Sequence, residues 1–123
     1  MHGLVGSRLV SRCLQEGFAV DVAGVKCIVD DVTDAHAMQR AAAGTELIIH
    51  CAALIPGAPE TEMTHVNVDG TRVLLDAAMR AGCRRLLYIS SAVVYAFDDH
   101  DVVDEFTPFR KDGPVFHVSR VRR

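Results

Sequence analysis

No apolar stretch of this chain approaches the ~20 residues that a membrane-spanning helix needs, and its first residues, MHGLVGSRLV, lack a charged lead followed by a long apolar core. Neither a membrane span nor a secretory leader is expected. Four cysteines are present, Cys13, Cys27, Cys51 and Cys83, but no CxxC pair. That argues against zinc and thioredoxin-like chemistry. Cys27, Cys51 and Cys83 sit in or beside apolar runs, so they read as buried free thiols in a reducing compartment. The six histidines have no metal-ligand spacing. Charge of one sign is not in excess: 13 basic residues face 16 acidic ones, for a net charge of -3. Such a balance exerts no general pull on nucleic acid or anionic membrane. Repeats and low-complexity segments are absent as well. What remains is a soluble cytoplasmic protein of one domain, residues 1–123, with half its residues apolar and so able to form a core.

The informative stretch is IIHCAAL, Ile48 to Leu54, followed by HVNVDGTRVLLDAAMRAGCRRLLYISSAVVY, His65 to Tyr95. An apolar run ends in small residues, a helix opens near Asn67, and a second apolar run ends in Ser90-Ser91. Read as strand, helix, strand, this is one half of a doubly wound sheet, in which ligands sit at the carboxyl ends of the strands. Ala52, Ala53, Ser90 and Ser91 all fall at such ends. Elsewhere, Leu4 to Glu16 has helical periodicity with Gly17 as its stop. Phe18 to Val22 and Val25 to Val29 are short β-rich runs. Thr33 or Asp34 can cap a helix over Ala35 to Ala43 that ends at Gly44. Leu47 to Cys51 reads as a strand, Pro56 to Thr61 as a loop, Met63 to Ala81 as the longest helix and Arg85 to Ser90 as another strand. Alternating strands and helices predict an α/β fold with a parallel sheet. Unbroken apolar runs such as Leu86-Leu87-Tyr88-Ile89 suit strands covered on both faces.

Several residues could carry chemistry. Gly3 and Gly6 sit where a helix N-terminus could approach a pyrophosphate, or they are two glycines of a frayed terminus. Asp31, after Asp30, could accept from an adenine amino group or cap the helix beside Thr33. The Asn67 amide could hold strand-end backbone, or act as an N-cap. Ser91 and Tyr95 could hydrogen-bond a substrate carbonyl at the rim. There is no GxSxG, so a serine hydrolase is rejected. His50 reads as a buried, hydrogen-bonded core residue. Asp98, Asp99, Asp101, Asp104 and Glu105 read as a solvated acidic loop, without EF-hand spacing.

Taken together, HGLVGSRLV, DDVTD, HCAAL, VNVDGT and SSAVVY resemble, in order and spacing, the extended short-chain dehydrogenase/reductase superfamily. That is the NAD-dependent epimerase/dehydratase group, with its 3β-hydroxysteroid dehydrogenase-like branch. The resemblance runs from Gly3 to about Arg120. It implies a partial Rossmann-like, doubly wound, mostly parallel sheet, and NAD or NADP as cofactor. It also implies hydride chemistry on a nucleotide sugar, a steroid or a similar hydroxyl or carbonyl substrate. Gly3 and Gly6 match glycines of the family's phosphate turn, and Asp31, with Val32 beside it, takes the adenine-contacting position. Cys51, Ala52, Ala53 and Ser90 match the strand ends that pass the cofactor, and Ser91 matches the catalytic Ser/Thr.

The family's active-site pair is a Tyr and a Lys, a phenol that can ionise and the cation that lowers its pKa. Here Phe116 and Arg120 occupy those positions, with Arg120 in the place of the residue that also contacts cofactor. Phenylalanine has no proton to transfer, and arginine differs from lysine in shape and donor geometry. His117 is titratable but points about 100° away on a helix. Only Ala23-Gly24 separates Val22 from Val25, too little for a parallel crossover, so Phe18 to Val29 is expected to be a hairpin or one bent strand. The usual first strand and the C-terminal substrate domain are not seen, and an unpaired sheet edge gives a reason to expect homo-oligomers. The expectation is an impaired or inactive relative of these enzymes. The rivals are a non-catalytic dinucleotide-binding or regulatory module and a fragment without independent function.

Overall fold

The computed structural model describes residues 4–20, 31–55, 57–91, 94–95 and 102–108. The first helix, α1, spans Leu4–Gln15. Its polar face is tied by Ser11 Oγ donating to Ser7 O (3.0 Å) and by Arg12 paired with Glu16 (2.6 Å). It stops where expected. Gly17 adopts φ +81°, the Phe18 N–H donates to Cys13 O and the Gly17 N–H to Leu14 O. This is the Schellman closure that a left-handed glycine permits. Phe18 to Val20 carry no strand, and the remainder of the expected hairpin lies outside the described residues, at 21–30.

Helix α2 spans Ala35–Ala42. Of the two candidate caps, Asp34 is used: its Oδ1 accepts from His36 N (2.8 Å) and Ala37 N (3.1 Å). Those bonds, the larger from Ala37, hold the Asp34 carboxyl below the usual carboxylate range. Strand β1, Leu47–His50, and strand β2, Arg85–Tyr88, pair in parallel from Leu47 against Arg85 to His50 against Tyr88. Both are shorter than the sequence predicts, although the Ile89 N–H still reaches His50 O at 3.0 Å.

Between the strands runs one long helical segment: α3 at Glu60–Thr64, a π-helical turn at His65–Gly70 and α4 at Thr71–Arg80. It begins three residues earlier than expected from Met63, inside the stretch read as loop. Pro59 stands at the cap, where a missing N–H costs nothing, and Glu60 and Glu62 complement the helix dipole in the first turn. The exit at Gly82 (φ +69°) repeats the closure seen at Gly17, with Cys83 N donating to Ala78 O.

The core lies between α2, α4 and one face of the sheet. Ala37, Met38 and Ala42 meet Leu74 and Ala77, with Val32, Ile48, Val73 and Leu86 packed around them. The alanines let the two helices approach closely, and burial of a side chain such as Leu74 contributes about 2 kcal/mol. The expectation of cover on both faces fails in part. Ile48 and Leu86 pack inward, but Leu47, Leu87 and Ile89 are exposed. Alternation of side chains across the pleat places these two sets on opposite faces.

Candidate functional site

Both strands end at the same edge of the sheet. Past the last pair, His50 against Tyr88, the chain leaves as Cys51-Ala52-Ala53 and as Ile89-Ser90-Ser91. The rim therefore collects the small residues that the sequence singled out. Ala52, Ala53 and Ser91 are exposed, and Cys51 and Ser90 are half-buried.

The segment after β1 is fixed by Asn67. This side chain is 3% exposed and sits in the π-helical turn. Its Oδ1 accepts from Leu54 N at 2.7 Å and its Nδ2 donates to Leu54 O at 3.0 Å. Of the two readings of Asn67, the strand-end clamp is the one observed, and it is not an N-cap. Behind it, Thr71 Oγ1 donates to Asn67 O (2.7 Å) and lies 3.0 Å from His50 Nε2. His50 is buried and stacks obliquely against Tyr88, with ring centroids 5.4 Å apart. Burial lowers its pKa below the usual histidine value of 6.5, which keeps the ring neutral at pH 7. It is the hydrogen-bonded core histidine that the sequence suggested.

Ser90 differs from its neighbours. Its Oγ is buried and has no hydrogen-bond partner among the described residues, a condition that is uncommon in folded proteins and marks a site for explanation. Beside it, Ser91 O accepts from Val94 N at 3.2 Å; Val94 is buried and Tyr95 half-buried. Gly6, in the first turns of α1, faces the same rim: a Cβ built there would lie 3.9 Å from Cys51 Cβ. Burial pushes the Cys51 thiol up from 9.0, so it stays protonated and is no nucleophile. Cys13, Cys51 and Cys83 are free and half-buried, so Cys51 and Cys83 are less covered than expected; Cys27 lies outside the described residues. Cys83 Sγ donates to backbone carbonyls of Glu46 and Arg85.

Asp31 is exposed, and its Oδ1 accepts from Thr33 N at 3.0 Å. It shapes the turn before α2 without capping that helix. Val32 is half-buried and lies against Gly70, where a Cβ would come within 2.5 Å of Val32 Cγ1. The structure thus brings Gly6 and Cys51 together, and sets Val32 on the turn that carries Asn67. Gly3, Phe116, His117 and Arg120 lie outside the described residues, as do Asp98, Asp99 and Asp101. Asp104 accepts from Phe106 N and Thr107 Oγ1, a self-contained turn in keeping with a solvated loop. Among the described residues no group of His, Cys, Asp and Glu could hold a metal ion, and no helix is long and apolar enough to cross a membrane.

Sequence reasoning missed Gly70 and Thr71. A glycine inside a helical pattern signals close packing, and a threonine within a helix signals a hydroxyl turned back to the carbonyl four residues earlier. Both signals stood in VNVDGT.

Comparison with known proteins gives this rim a lineage. Residues 8–112 match the model of the 3-beta hydroxysteroid dehydrogenase/isomerase family. A 3-beta-hydroxysteroid dehydrogenase of Mycolicibacterium neoaurum is 32% identical over 127 residues, covering 87% of this chain and 35% of the relative. A short-chain dehydrogenase/reductase superfamily protein of Agrobacterium tumefaciens, solved with bound NAD, superposes with a TM-score of 0.79 at 32% identity. That match covers 91% of this chain and 38% of the other. A dTDP-glucose 4,6-dehydratase of Streptomyces venezuelae, with NAD and TYD bound, gives a TM-score of 0.75 at 26% identity, covering 91% and 44%. The chain spans only 20% to 35% of the length of the first curated relatives it matches. With two parallel strands among the described residues, a crossover helix and a small-residue rim, the chain is a partial Rossmann fold and belongs to the 3-beta hydroxysteroid dehydrogenase/isomerase family of the extended short-chain dehydrogenase/reductase superfamily.

Proposed function

We propose that residues 1–123 form one dinucleotide-binding domain of an oxidoreductase or epimerase-type protein. It holds NAD at the carboxyl rim of β1 and β2, against a steroid, nucleotide-sugar or similar hydroxyl or carbonyl substrate. The observation that carries this reading is the Ser90 hydroxyl, buried at that rim without a partner among the described residues. A ligand bound along the strand ends would satisfy it, and an unsatisfied buried hydroxyl is costly otherwise. The rest of the rim fits the same group. The N-terminal turns of α1 at Gly6 would face a pyrophosphate, which a helix N-terminus favours, and Gly3 is assigned with it from sequence. Exposed Ala52 and Ala53, after Cys51, leave room for a ribose and its phosphates to lie close to the backbone. Asp31, with Val32 beside it, would accept from the adenine end. The solved relatives that hold NAD support NAD as the bound group.

When bound, the nicotinamide would supply or accept the hydride. Ser91 would donate a hydrogen bond to the substrate oxygen and polarise it. Phe116 stands where the family's tyrosine would move the proton, and Arg120 stands in place of the lysine. We therefore expect little or no turnover from this chain. The same two residues favour a second reading, a dinucleotide-binding or regulatory module without chemistry.

Fluorescence titration with NADH and NADPH, on protein shown monodisperse by light scattering, tests the binding reading. Saturable binding is expected. A folded sample that binds neither would overturn it. Clear NAD(P)H production with a sugar or steroid alcohol would overturn the expectation of inactivity and leave the binding site standing.

A further inference from the structure

We infer that His50 and Thr71 are positioning residues for the dinucleotide rim. They act through one directed chain of hydrogen bonds that ends on the backbone of Leu54. The inference deepens the dinucleotide-binding reading and, for its effect on affinity, rests on it.

The direction of the chain follows from proton bookkeeping. A threonine hydroxyl has one proton. In Thr71 that proton is spent on Asn67 O, at 2.7 Å. The contact of 3.0 Å between His50 Nε2 and Thr71 Oγ1 is then a bond in which the imidazole N–H donates. Thr71 thus selects the Nε2–H tautomer of His50. The backbone N–H of Thr71 goes to Val68 O, and the hydroxyl serves Asn67 O, the carbonyl four residues back. Asn67 then passes the constraint on, since the oxygen and the nitrogen of its side-chain amide both bond the main chain of Leu54. His50, Asn67 and Thr71 are 4%, 3% and 1% exposed, so solvent does not compete for these bonds.

The geometry of the rim gives the chain a functional consequence. Cys51, Ala52 and Ala53 span the gap between His50 and Leu54. At one end His50 is tied by its ring to Thr71 and by its carbonyl to Ile89 N. At the other end Leu54 is tied by Asn67 on both backbone atoms. One network therefore fixes both ends of the three-residue segment that faces the cofactor, although its own members are buried behind that segment. Loosening either anchor releases the path of Ala52 and Ala53 while leaving the α2–α4 core intact.

The test uses the full chain with Thr71→Val, which keeps shape and removes the hydroxyl, and His50→Leu. Thr71→Ser and His50→Gln each retain a donor at the same reach and serve as rescues. Amide hydrogen exchange is read at Leu54 and, as a control, at Ile89, alongside NADH titration. In Thr71→Val and His50→Leu, Leu54 protection is expected to fall at least about tenfold while Ile89 stays protected. NADH should bind about fivefold to tenfold more weakly, the scale of one lost hydrogen bond. Serine and glutamine should restore both readouts, which a general loss of packing would not do. Unchanged Leu54 protection and NADH affinity in both variants would overturn the inference. Loss of Leu54 protection in a protein whose wild type binds no NADH would uphold the network and bring down the dinucleotide reading instead. Should Thr71→Val fail to fold, nitrogen NMR of wild-type His50 decides: a proton on Nε2 supports the chain, and a proton on Nδ1 alone breaks it.

Discussion

The two strands have equal length, run in register and end at the same rim, yet they finish differently. β1 ends in a residue whose ring and carbonyl are both bonded, and the segment after it is clamped by Asn67. β2 ends in Tyr88, and two residues on, Ser90 buries a hydroxyl that has no hydrogen-bond partner among the described residues. The protein satisfies one strand end internally and leaves polar capacity in reserve at the other. A rim built this way has a rigid wall and a receptive one. On the dinucleotide-binding proposal, preorganised backbone on one side would lower the ordering cost of binding, and the unspent hydroxyl on the other would give a ligand something to gain.

The rigid wall can be broken most severely at Asn67. Asn67→Leu strands the Leu54 N–H and carbonyl and should cost about 2–3 kcal/mol, the price of leaving such groups unsatisfied, measured by urea unfolding. A loss below the error of that measurement would remove the clamp from the comparison. Next in size is Gly70→Ala. The glycine φ is an ordinary -58°, so no strain is at stake, but the new methyl meets the stiff Val32 side chain at 2.5 Å. Overpacking should outweigh the better helix propensity of alanine and leave a net loss of about 1–2 kcal/mol. Val32→Ala in the same chain should recover most of it, which a double-mutant cycle reads directly.

The receptive wall responds in the opposite sense. Ser90→Ala should leave thermal stability unchanged or slightly raised, because it removes an orphan hydroxyl. It should also weaken NADH binding about fivefold. A clear loss of stability without loss of affinity would show that Ser90 belongs to the rigid side.

The smallest effect is the pH dependence of folding. The folded pKa of His50 lies below 6.5, so the unfolded chain takes up a proton that the folded one refuses. Stability from this group is complete above pH 6.5 and declines as pH falls below that value toward the folded pKa. Asp34 titrates later. Its carboxyl is held below 3.8 when folded, so its contribution is lost only as pH drops through that lower value. Denaturation midpoints between pH 8 and pH 3 should show two separate declines. His50→Gln should abolish the first and spare the second.

Much of this architecture was legible in the residues. Glycine at 17, 44 and 82 stops three helices because a left-handed turn suits no other residue as well. Apolar runs bounded by such stops gave both strands and the helix between them, and the order of the short motifs gave the superfamily. The early start at Glu60 was hidden because Pro59 reads as loop until its place at the helix cap is seen. The π-helical turn was hidden because its residues follow an ordinary helical pattern. Identity likewise proposed the site residues Ser90, Ala52 and Asp31, but not their differing fates.

The sequence by itself determined the helices at Leu4–Gln15 and Ala35–Ala42 and the strand–helix–strand unit from Leu47 to Tyr88, since backbone propensity, capping and periodicity act over a few neighbours. It also determined the lineage, since motif order is written along the chain. Only the tertiary structure decided that Asn67 clamps Leu54 thirteen residues away, that His50 finds Thr71 across 21 residues, and that Ser90 finds no partner among the described residues. Hydrogen-bond satisfaction inside a core depends on which elements meet and at what distance, and that is settled by packing three dimensions at once.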